Sequence, residues 1–188
     1  TTETSIYVKA DGSLWGMGKN YSKLLINNNG DPLSPVRVVE SGVIKAALGS
    51  SHLLYLKEDG SVWGRGSNDS GQLGQASGLQ FPDPVEIITS GAVDVVAGNN
   101  WSMALLKECK ILSWGGNTTG QLGARDSLYF QSPQKIPGLK VTEAVASSRA
   151  SYFVDLNGSL WSVGTENAGS LGNGSNGSSS IPVKVVDG

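Results

Sequence analysis

The sequence repeats itself at an interval of 49 residues, and this repetition limits what the chain can fold into. The segment "GQLG" ends at Gly74 and again at Gly123, and "GSLG" ends at Gly172. Four prolines keep the same interval: Pro35, Pro84, Pro133 and Pro182. A period of this length is typical of small structural units that stack to bury a shared core. We therefore expect one domain over residues 1–188, built of copies at roughly 1–34, 35–83, 84–132 and 133–188.

Each copy carries the signals of short β-strands. "HLLYLKEDGSVWGRG" has the pattern of a strand, an Asp-Gly turn and a second strand. Asp11-Gly12, Asp59-Gly60 and Asn157-Gly158 predict hairpins with type I′ turns, in which both central residues have positive φ. The third copy has Glu108-Cys109 there, so we expect a different turn. Another strand precedes each later hairpin and a short extended piece follows each proline, whereas no segment has a sustained helical period.

Four short strands in a unit of this length match one blade of a β-propeller. The predicted fold class is therefore all-β, a β-propeller of four-stranded antiparallel blades. A blade cannot bury both of its faces alone, so neighbouring blades must pack together. Because "GQLG" recurs in copy after copy, we interpret it as architecture, with glycines that allow a tight turn and a leucine buried between blades.

The linked motifs resemble the repeat of the regulator of chromosome condensation (RCC1-like) family, whose members fold as β-propellers. The resemblance is carried by "SGVIKAALGSSHLLYLKEDGSVWGRGSNDSGQLG" and "SGAVDVVAGNNWSMALLKECKILSWGGNTTGQLG". The position of the tryptophan in "LWGMG" is more similar to that in bacterial members of the family than to that in the nuclear prototype. The first copy departs from the pattern, since "SKLLI" replaces the Gly-Gln-Leu-Gly core, and we expect a less regular blade edge there.

The resemblance implies a ring of about seven blades, whereas about four copies are present. We therefore expect a segment of a longer propeller, or a propeller that several chains complete by self-association. A closed ring of four blades is the less favoured alternative, because it would require a much larger angle between blades.

Charge and composition argue against several classes of partner. The net charge is −2 and the 14 Lys and Arg residues are scattered singly, so we expect no nucleic-acid partner. No run of 18 apolar residues predicts membrane insertion. The single cysteine, Cys109, excludes an internal disulfide and a cysteine zinc cage, but it is compatible with a reducing or a secreted location.

The sequence offers no convergent catalytic set. His52 is the only histidine, and we interpret it as structural or surface-exposed. Cys109 is interpreted as an incidental thiol, and Asp11 and Asp59 as turn residues. We expect no catalytic residue, cofactor or metal ion, and we predict that the protein is not an enzyme.

The leading functional hypothesis is a non-enzymatic scaffold whose loop face binds another protein. Two alternatives remain open: guanine-nucleotide exchange on a small GTPase, as in the family's prototype, and carbohydrate binding or processing by acids at the channel mouth. Exchange needs a wedge-like projection, and no copy carries an insertion for one. Phe81 and Phe130 lie 49 residues apart and are predicted to pack, which leaves Tyr129 as the candidate contact residue.

Overall fold

A computed structural model describes residues 3–26, 30–78, 80–124, 127–165 and 169–188. Within these ranges the regular structure is β, apart from two single 3-10 turns, Tyr21–Lys23 and Lys107–Cys109. No helix there is long and apolar enough to cross a bilayer. The strands form one three-stranded and three four-stranded sheets, all antiparallel and ordered as along the chain. The predicted all-β fold of antiparallel blades is confirmed.

The sheets follow one another along the sequence. The first contains β1 (Thr4–Val8), β2 (Leu14–Gly18) and β3 (Val36–Val39). The second contains β4 (Val43–Leu48), β5 (His52–Lys57), β6 (Val62–Ser67) and β7 (Gln80–Ile88). The third contains β8 (Ala92–Ala97), β9 (Trp101–Leu106), β10 (Lys110–Gly116) and β11 (Tyr129–Lys135). The fourth contains β12 (Val141–Ala146), β13 (Ala150–Asp155), β14 (Leu160–Gly164) and β15 (Ser179–Val186).

The last strand of each four-stranded sheet begins before the repeated proline rather than after it. Pro84, Pro133 and Pro182 lie inside β7, β11 and β15, so the expectation of a short piece starting at each proline is wrong for these sheets. Proline is tolerated there because these strands end their sheets and one edge needs no N–H donor. The sheets are consequently offset from the sequence copies, since each sheet closes with the strand that holds the next copy's proline.

The Asp-Gly and Asn-Gly hairpins do not use type I′ turns, and that prediction is wrong. Positive φ occurs at Gly12, Gly60 and Gly158 but not at the residue before each of them. In the first hairpin, Gly12 N–H donates to the Lys9 carbonyl and Lys9 N–H to the Ser13 carbonyl, which closes a three-residue loop with one left-handed glycine. The aspartate side chain stabilises this form, because Asp11 Oδ1 accepts hydrogen bonds from the backbone N–H and the hydroxyl of Ser13.

The third hairpin has the different turn that its sequence predicts. Glu108 and Cys109 have φ values of +63° and +58°, in the left-handed region that favours glycine. Neither residue is glycine, so this turn carries backbone strain that the other hairpins avoid.

Three apolar cores fill the junctions between successive sheets. Leu25, Leu53 and Tyr55 belong to the core between the first and second sheets. The next two junctions are filled in the same way, by the cluster around Leu73 and Trp114 and then by the cluster around Leu122 and Phe153. Each blade therefore covers its neighbour's apolar face, as the repeat predicts.

The first strands of successive sheets lie side by side. β4 contacts β8, and β8 contacts β12. Lys45 on β4 forms an ion pair with Asp94 on β8, with 2.5 Å between Nζ and Oδ1. The exposed side chains of Ile44, Val93 and Val145 also belong to these strands.

Candidate protein-interaction surface

The connections between strands lie at two opposite ends of the blades. We call one end the loop end: it carries the first-to-second strand connections and the long third-to-fourth strand loops, such as those that begin at Asn68 and at Asn117. The other end, called the hairpin end, carries the second-to-third strand turns and the links to the next sheet. Because variable loops on a rigid framework commonly bind partners, the loop end is the first place to look for a site.

The "GQLG" loops at the loop end are held by a buried asparagine. The side-chain oxygen of Asn68 accepts a hydrogen bond from Leu73 N–H at 2.8 Å, and its amide donates to the carbonyls of Gln75 and Ala76. Asn117 accepts from Leu122 N–H in the same way, at 3.0 Å. Both asparagines are buried, and their side-chain amides satisfy backbone N–H and C=O groups of a loop that lies outside the β-strands.

The same loops join each blade to the next. The carbonyl of Gln72 accepts hydrogen bonds from Ser102 Oγ at 2.7 Å and from Trp114 Nε1 at 2.9 Å, both in the third sheet. The carbonyl of Gln121 accepts from Ser151 in the fourth sheet. A Cβ on Gly71 would lie 3.0 Å from the Phe130 carbonyl oxygen, and φ at Gly71 is +81°, so both the close approach and the backbone conformation favour glycine. The geometry supports the interpretation of "GQLG" as architecture.

The first junction has a different polar contact: Arg65, at the position equivalent to Trp114, donates from Nε to the Lys23 carbonyl at 3.1 Å. Leu24 and Leu53 take the places that Gln72 and Ser102 hold in the next junction, and both are buried in the apolar core. Leu25 keeps the buried position of the "GQLG" leucine. The Tyr21–Lys23 turn makes this blade edge less regular, as the sequence predicts.

His52 lies in the core, at the junction between the second and third sheets. Its side chain is fully buried, and its Nε2 lies 3.0 Å from Ser102 Oγ. Because Ser102 donates its single hydroxyl hydrogen to Gln72, His52 must carry its hydrogen on Nε2. Nδ1 is left as a buried lone pair with no hydrogen-bond partner among the described residues. Burial lowers the pKa of His52 to about 4, so the ring is neutral at pH 7.

Across the second, third and fourth sheets, the residue equivalent to His52 varies together with the residue three positions before it. A Cβ on Gly49 would lie 2.1 Å from the His52 ring, and one on Gly98 would lie 2.0 Å from the ring of Trp101. In the fourth sheet the small Ala150 takes this position, and Ser147 replaces the glycine. The repeated glycine is therefore required wherever a ring must lie against the backbone.

Two exposed apolar side chains stand on a rigid piece of the loop end. Leu128 is 69% exposed and Tyr129 is 47% exposed. Their backbone is held firmly, because Asn117 N–H donates to the Leu128 carbonyl at 2.7 Å and the Asn117 amide donates to the Ser127 carbonyl at 2.9 Å. Sequence analysis selected Tyr129 and missed Leu128. Tyr129 is specific to its copy, because the corresponding residues of the second and fourth copies are Gln80 and Ser178. Leu128 repeats the leucine at position 79 and is replaced in the fourth copy by Gly177.

The other sequence-selected residues have structural surroundings. Phe81 and Phe130 pack against neighbouring junction cores, which confirms their predicted packing role. Asp59 accepts hydrogen bonds from Ser61 N–H, as a turn residue should. Cys109 is half-buried in its strained turn. No group of three or more His, Cys, Asp or Glu side chains that could hold a metal ion occurs among the described residues.

Comparisons with known proteins agree with this architecture. Two models of the regulator of chromosome condensation (RCC1) repeat match the chain, one over residues 43–72 and the other over 59–105 and 110–154. No curated protein sequence matches. The chain is similar in fold to human WBSCR16, with a TM-score of 0.83 and 20% identity, over 97% of this chain and 49% of that one.

It is also similar in fold to Prp20p of Saccharomyces cerevisiae, with a TM-score of 0.82 and 21% identity, over 98% of this chain and 50% of that one. Prp20p is described together with its binding to Gsp1p and histones, and yeast Prp20 is also known bound to Kap60. The chain thus spans about half the length of the solved relatives that it matches.

Proposed function

The chain belongs to the regulator of chromosome condensation (RCC1) repeat family, and from this premise we propose that it is a non-enzymatic scaffold whose loop end binds a protein partner. One observation carries the proposal: Leu128 and Tyr129 expose apolar surface on a backbone that Asn117 holds in place. A rigid anchor loses little conformational entropy on binding, and tyrosine is enriched among the residues that dominate binding energy.

The repeated residues of the loop end are already engaged in architecture. The carbonyl of Gln72 and the side chain of Asn68 hold the blade junction and the loop itself. Copy-specific residues such as Tyr129 are therefore the better candidates for partner recognition. The relatives support a protein partner, since Prp20p is described with protein partners.

The experiment that tests this proposal compares two double variants as immobilised baits. Leu128→Ser/Tyr129→Ser should lose a protein that the unmodified chain captures, and mass spectrometry identifies that protein. The matched control is Tyr21→Ser/Leu33→Ser, which removes two exposed apolar side chains elsewhere. Capture that survives in the first variant, or is lost equally in the control, would contradict the assignment of this surface.

Guanine-nucleotide exchange on a small GTPase is the second candidate function, and family membership is what favours it. The four hairpins have similar lengths, with turns of about three residues, and none offers a projecting wedge. We therefore rank exchange below binding. Accelerated release of a fluorescent guanine nucleotide from a small GTPase, with catalytic amounts of this chain, would reverse that order.

Self-association is a further part of the proposed interaction behaviour. Tyr7 on the first sheet is 37% exposed, whereas its repeat equivalent Tyr55 is buried against the preceding blade. Further blades would cover the face of the first sheet that exposes Tyr7. In a solution of this chain alone, a second copy would supply those blades. Light scattering over a tenfold concentration range should show a species larger than 19.5 kDa. A monomer throughout that range would contradict completion by a second copy.

A further inference from the structure

The departures of the third copy from the repeat meet in one place at the hairpin end. Where the other copies have Asp-Gly-Ser or Asn-Gly-Ser turns, the third has Glu108, Cys109 and Lys110. Where two other copies reach the next sheet through Ser-Gly, ending at Gly42 and Gly91, the third has Leu139 and Lys140. All of these replacement residues except Cys109 line a groove of about 300 Å³, together with Lys135 and Gly138. We call it the lysine groove, defined by Glu108, Lys110, Lys135, Gly138, Leu139 and Lys140.

Lys135 faces this groove without the aromatic partner that its basic equivalents in the first and fourth sheets have, and the second sheet has Glu86 at this position. In the first sheet Arg37 lies over the Trp15 ring at 5.0 Å, and in the fourth Lys184 lies over Trp161 at 5.3 Å. The third sheet has Leu112 in the place of the tryptophan, paired in register with Lys135. Among the described residues, the ammonium of Lys135 therefore has no ring beneath it.

The groove has a net positive charge, because it contains three lysines and one carboxylate. Lys110 Nζ lies 2.5 Å from Glu108 Oε2, so one positive charge is matched by the single carboxylate of the groove. The hydrogen bond and charge of Lys110, with a smaller contribution from Lys140, lower the pKa of Glu108. Lys135 and Lys140 remain as positive charges on a protein whose net charge is −2.

The floor of the groove is apolar and open. The link to the fourth sheet takes its positive φ at Gly138 rather than at the Gly42 and Gly91 position, and a Cβ on Gly138 would meet nothing within 4 Å. Leu139 is 7% exposed and forms the base. A second depression of about 230 Å³ continues from Leu139 past Trp161 to Leu156. It also includes Asp155, whose carboxylate accepts a hydrogen bond from Trp161 Nε1 at 2.8 Å.

Leu156 adds an apolar edge that the rest of the repeat does not provide. It is 54% exposed, and the equivalent residues of the preceding two copies are Glu58 and Lys107. The strained φ values of Glu108 and Cys109 border the same region, and uncommon backbone conformations of this kind often occur at functional sites.

We propose that the lysine groove, with Leu156 beside it, binds an acidic segment of a partner protein that also carries an apolar side chain. Lys135 and Lys140 would pair with carboxylates, and the Leu139 floor and Leu156 would take the apolar residue. This mixture of charge and apolar surface fits a peptide better than a phosphate, because a phosphate gains nothing from the leucines. This surface lies at the opposite end from Leu128 and Tyr129, so it is independent of the proposed loop-end site.

The test uses a short fluorescein-labelled peptide in which Asp and Glu alternate with Phe and Leu. Fluorescence anisotropy measures its binding to the full chain at low and at high salt. The control peptide carries Asn and Gln instead of the acids. The variant Lys135→Glu/Lys140→Glu should weaken binding by at least about tenfold, and salt should weaken binding to the unmodified chain. The matched control variant, Lys9→Glu/Lys57→Glu, reverses two charges at the same end of other blades and should bind normally.

Three results would overturn the proposal. The first is equal binding of the acidic and amide peptides, and the second is equal loss in both lysine variants. The third is a fluorescent oligonucleotide that binds the groove more tightly than the peptide and responds to Lys135→Glu/Lys140→Glu, since this would make the groove a phosphate site. Circular dichroism of each variant shows whether a loss reflects the groove or unfolding, and Leu156→Ser provides a second variant that leaves all charges in place.

Discussion

The hydroxyl of Ser102 donates a hydrogen bond to the carbonyl of Gln72 at 2.7 Å, across the junction between the second and third sheets. His52 Nε2 lies 3.0 Å from the same hydroxyl, so three residues from two blades share one buried polar junction. Because the hydroxyl has only one hydrogen, this arrangement fixes the direction of both hydrogen bonds.

Replacement of this hydroxyl should destabilise the fold. Ser102→Ala leaves the buried Nε2–H of His52 without an acceptor, and a buried unpaired polar group costs about 1–3 kcal/mol. We expect the free energy of unfolding in urea to fall by about that amount. The exposed Ser148→Ala should change it by less than about 0.5 kcal/mol. Equal effects of the two substitutions would argue against the polar junction.

The pH dependence of stability should contain a contribution from His52. Its folded-state pKa is lowered to about 4 by burial, while the unfolded chain titrates near 6.5. The unfolded state therefore binds more protons between these values, so stability is full above pH 6.5 and decreases as the pH falls towards 4. The size of the effect is on the order of 3 kcal/mol.

His52→Gln should flatten the pH profile in that window, because glutamine can donate to Ser102 but does not titrate. The measurement is urea unfolding at a series of pH values for both proteins. The lowered pKa values of Asp11 and Asp59 act at lower pH, below their unfolded value of 3.8, and stay in both profiles. A histidine whose NMR titration has its midpoint near 6.5 in the folded protein would contradict the buried neutral ring.

The strained third hairpin should be improved by glycine. Cys109 has φ of +58°, at the position that Gly60 occupies in the second hairpin. Cys109→Gly should raise the free energy of unfolding by about 0.5–1 kcal/mol, because the left-handed conformation costs a non-glycine residue about 1–2 kcal/mol and glycine's greater freedom in the unfolded chain offsets part of the gain.

The converse substitution provides the control. Gly60→Ala should lower the free energy of unfolding by more than about 1 kcal/mol. The new Cβ would lie 2.8 Å from the Gly91 nitrogen, and alanine would have to adopt a φ of +80°. Thermal unfolding of the two variants should move in opposite directions. A destabilised Cys109→Gly would mean that the cysteine side chain contributes more than the strain costs.

The buried asparagines of the long loops should matter to the whole fold. Asn68→Ala removes the acceptor for Leu73 N–H and the donor for Gln75 and Ala76, all near the buried Leu73 side chain. We expect a loss of about 2–4 kcal/mol in the free energy of unfolding, from several buried hydrogen bonds. Asn157→Ala, in an exposed turn, should have little effect. If hydrogen exchange in Asn68→Ala increased only in the loop that begins at Asn68, the loop would not stabilise the blade junction as proposed.

The sequence by itself determined the unit of this fold. The 49-residue period, the strand patterns and the recurring leucine predicted sheets that stack through Leu73, Leu122 and Leu171, because alternation and spacing are local properties of the chain. Exact turn type was not predictable from Asp-Gly alone, since the Ser13 and Ser61 hydrogen bonds with the aspartates select a longer loop.

Only the tertiary structure decided which residues meet across blades. Gln72 and Ser102 are 30 residues apart, and nothing in the spacing predicts that a main-chain carbonyl is the partner. The lysines look scattered in sequence, yet Lys110, Lys135 and Lys140 line one groove. They meet because antiparallel strands bring a hairpin turn and the link to the next sheet to the same end of a blade, where charges distant along the chain become neighbours.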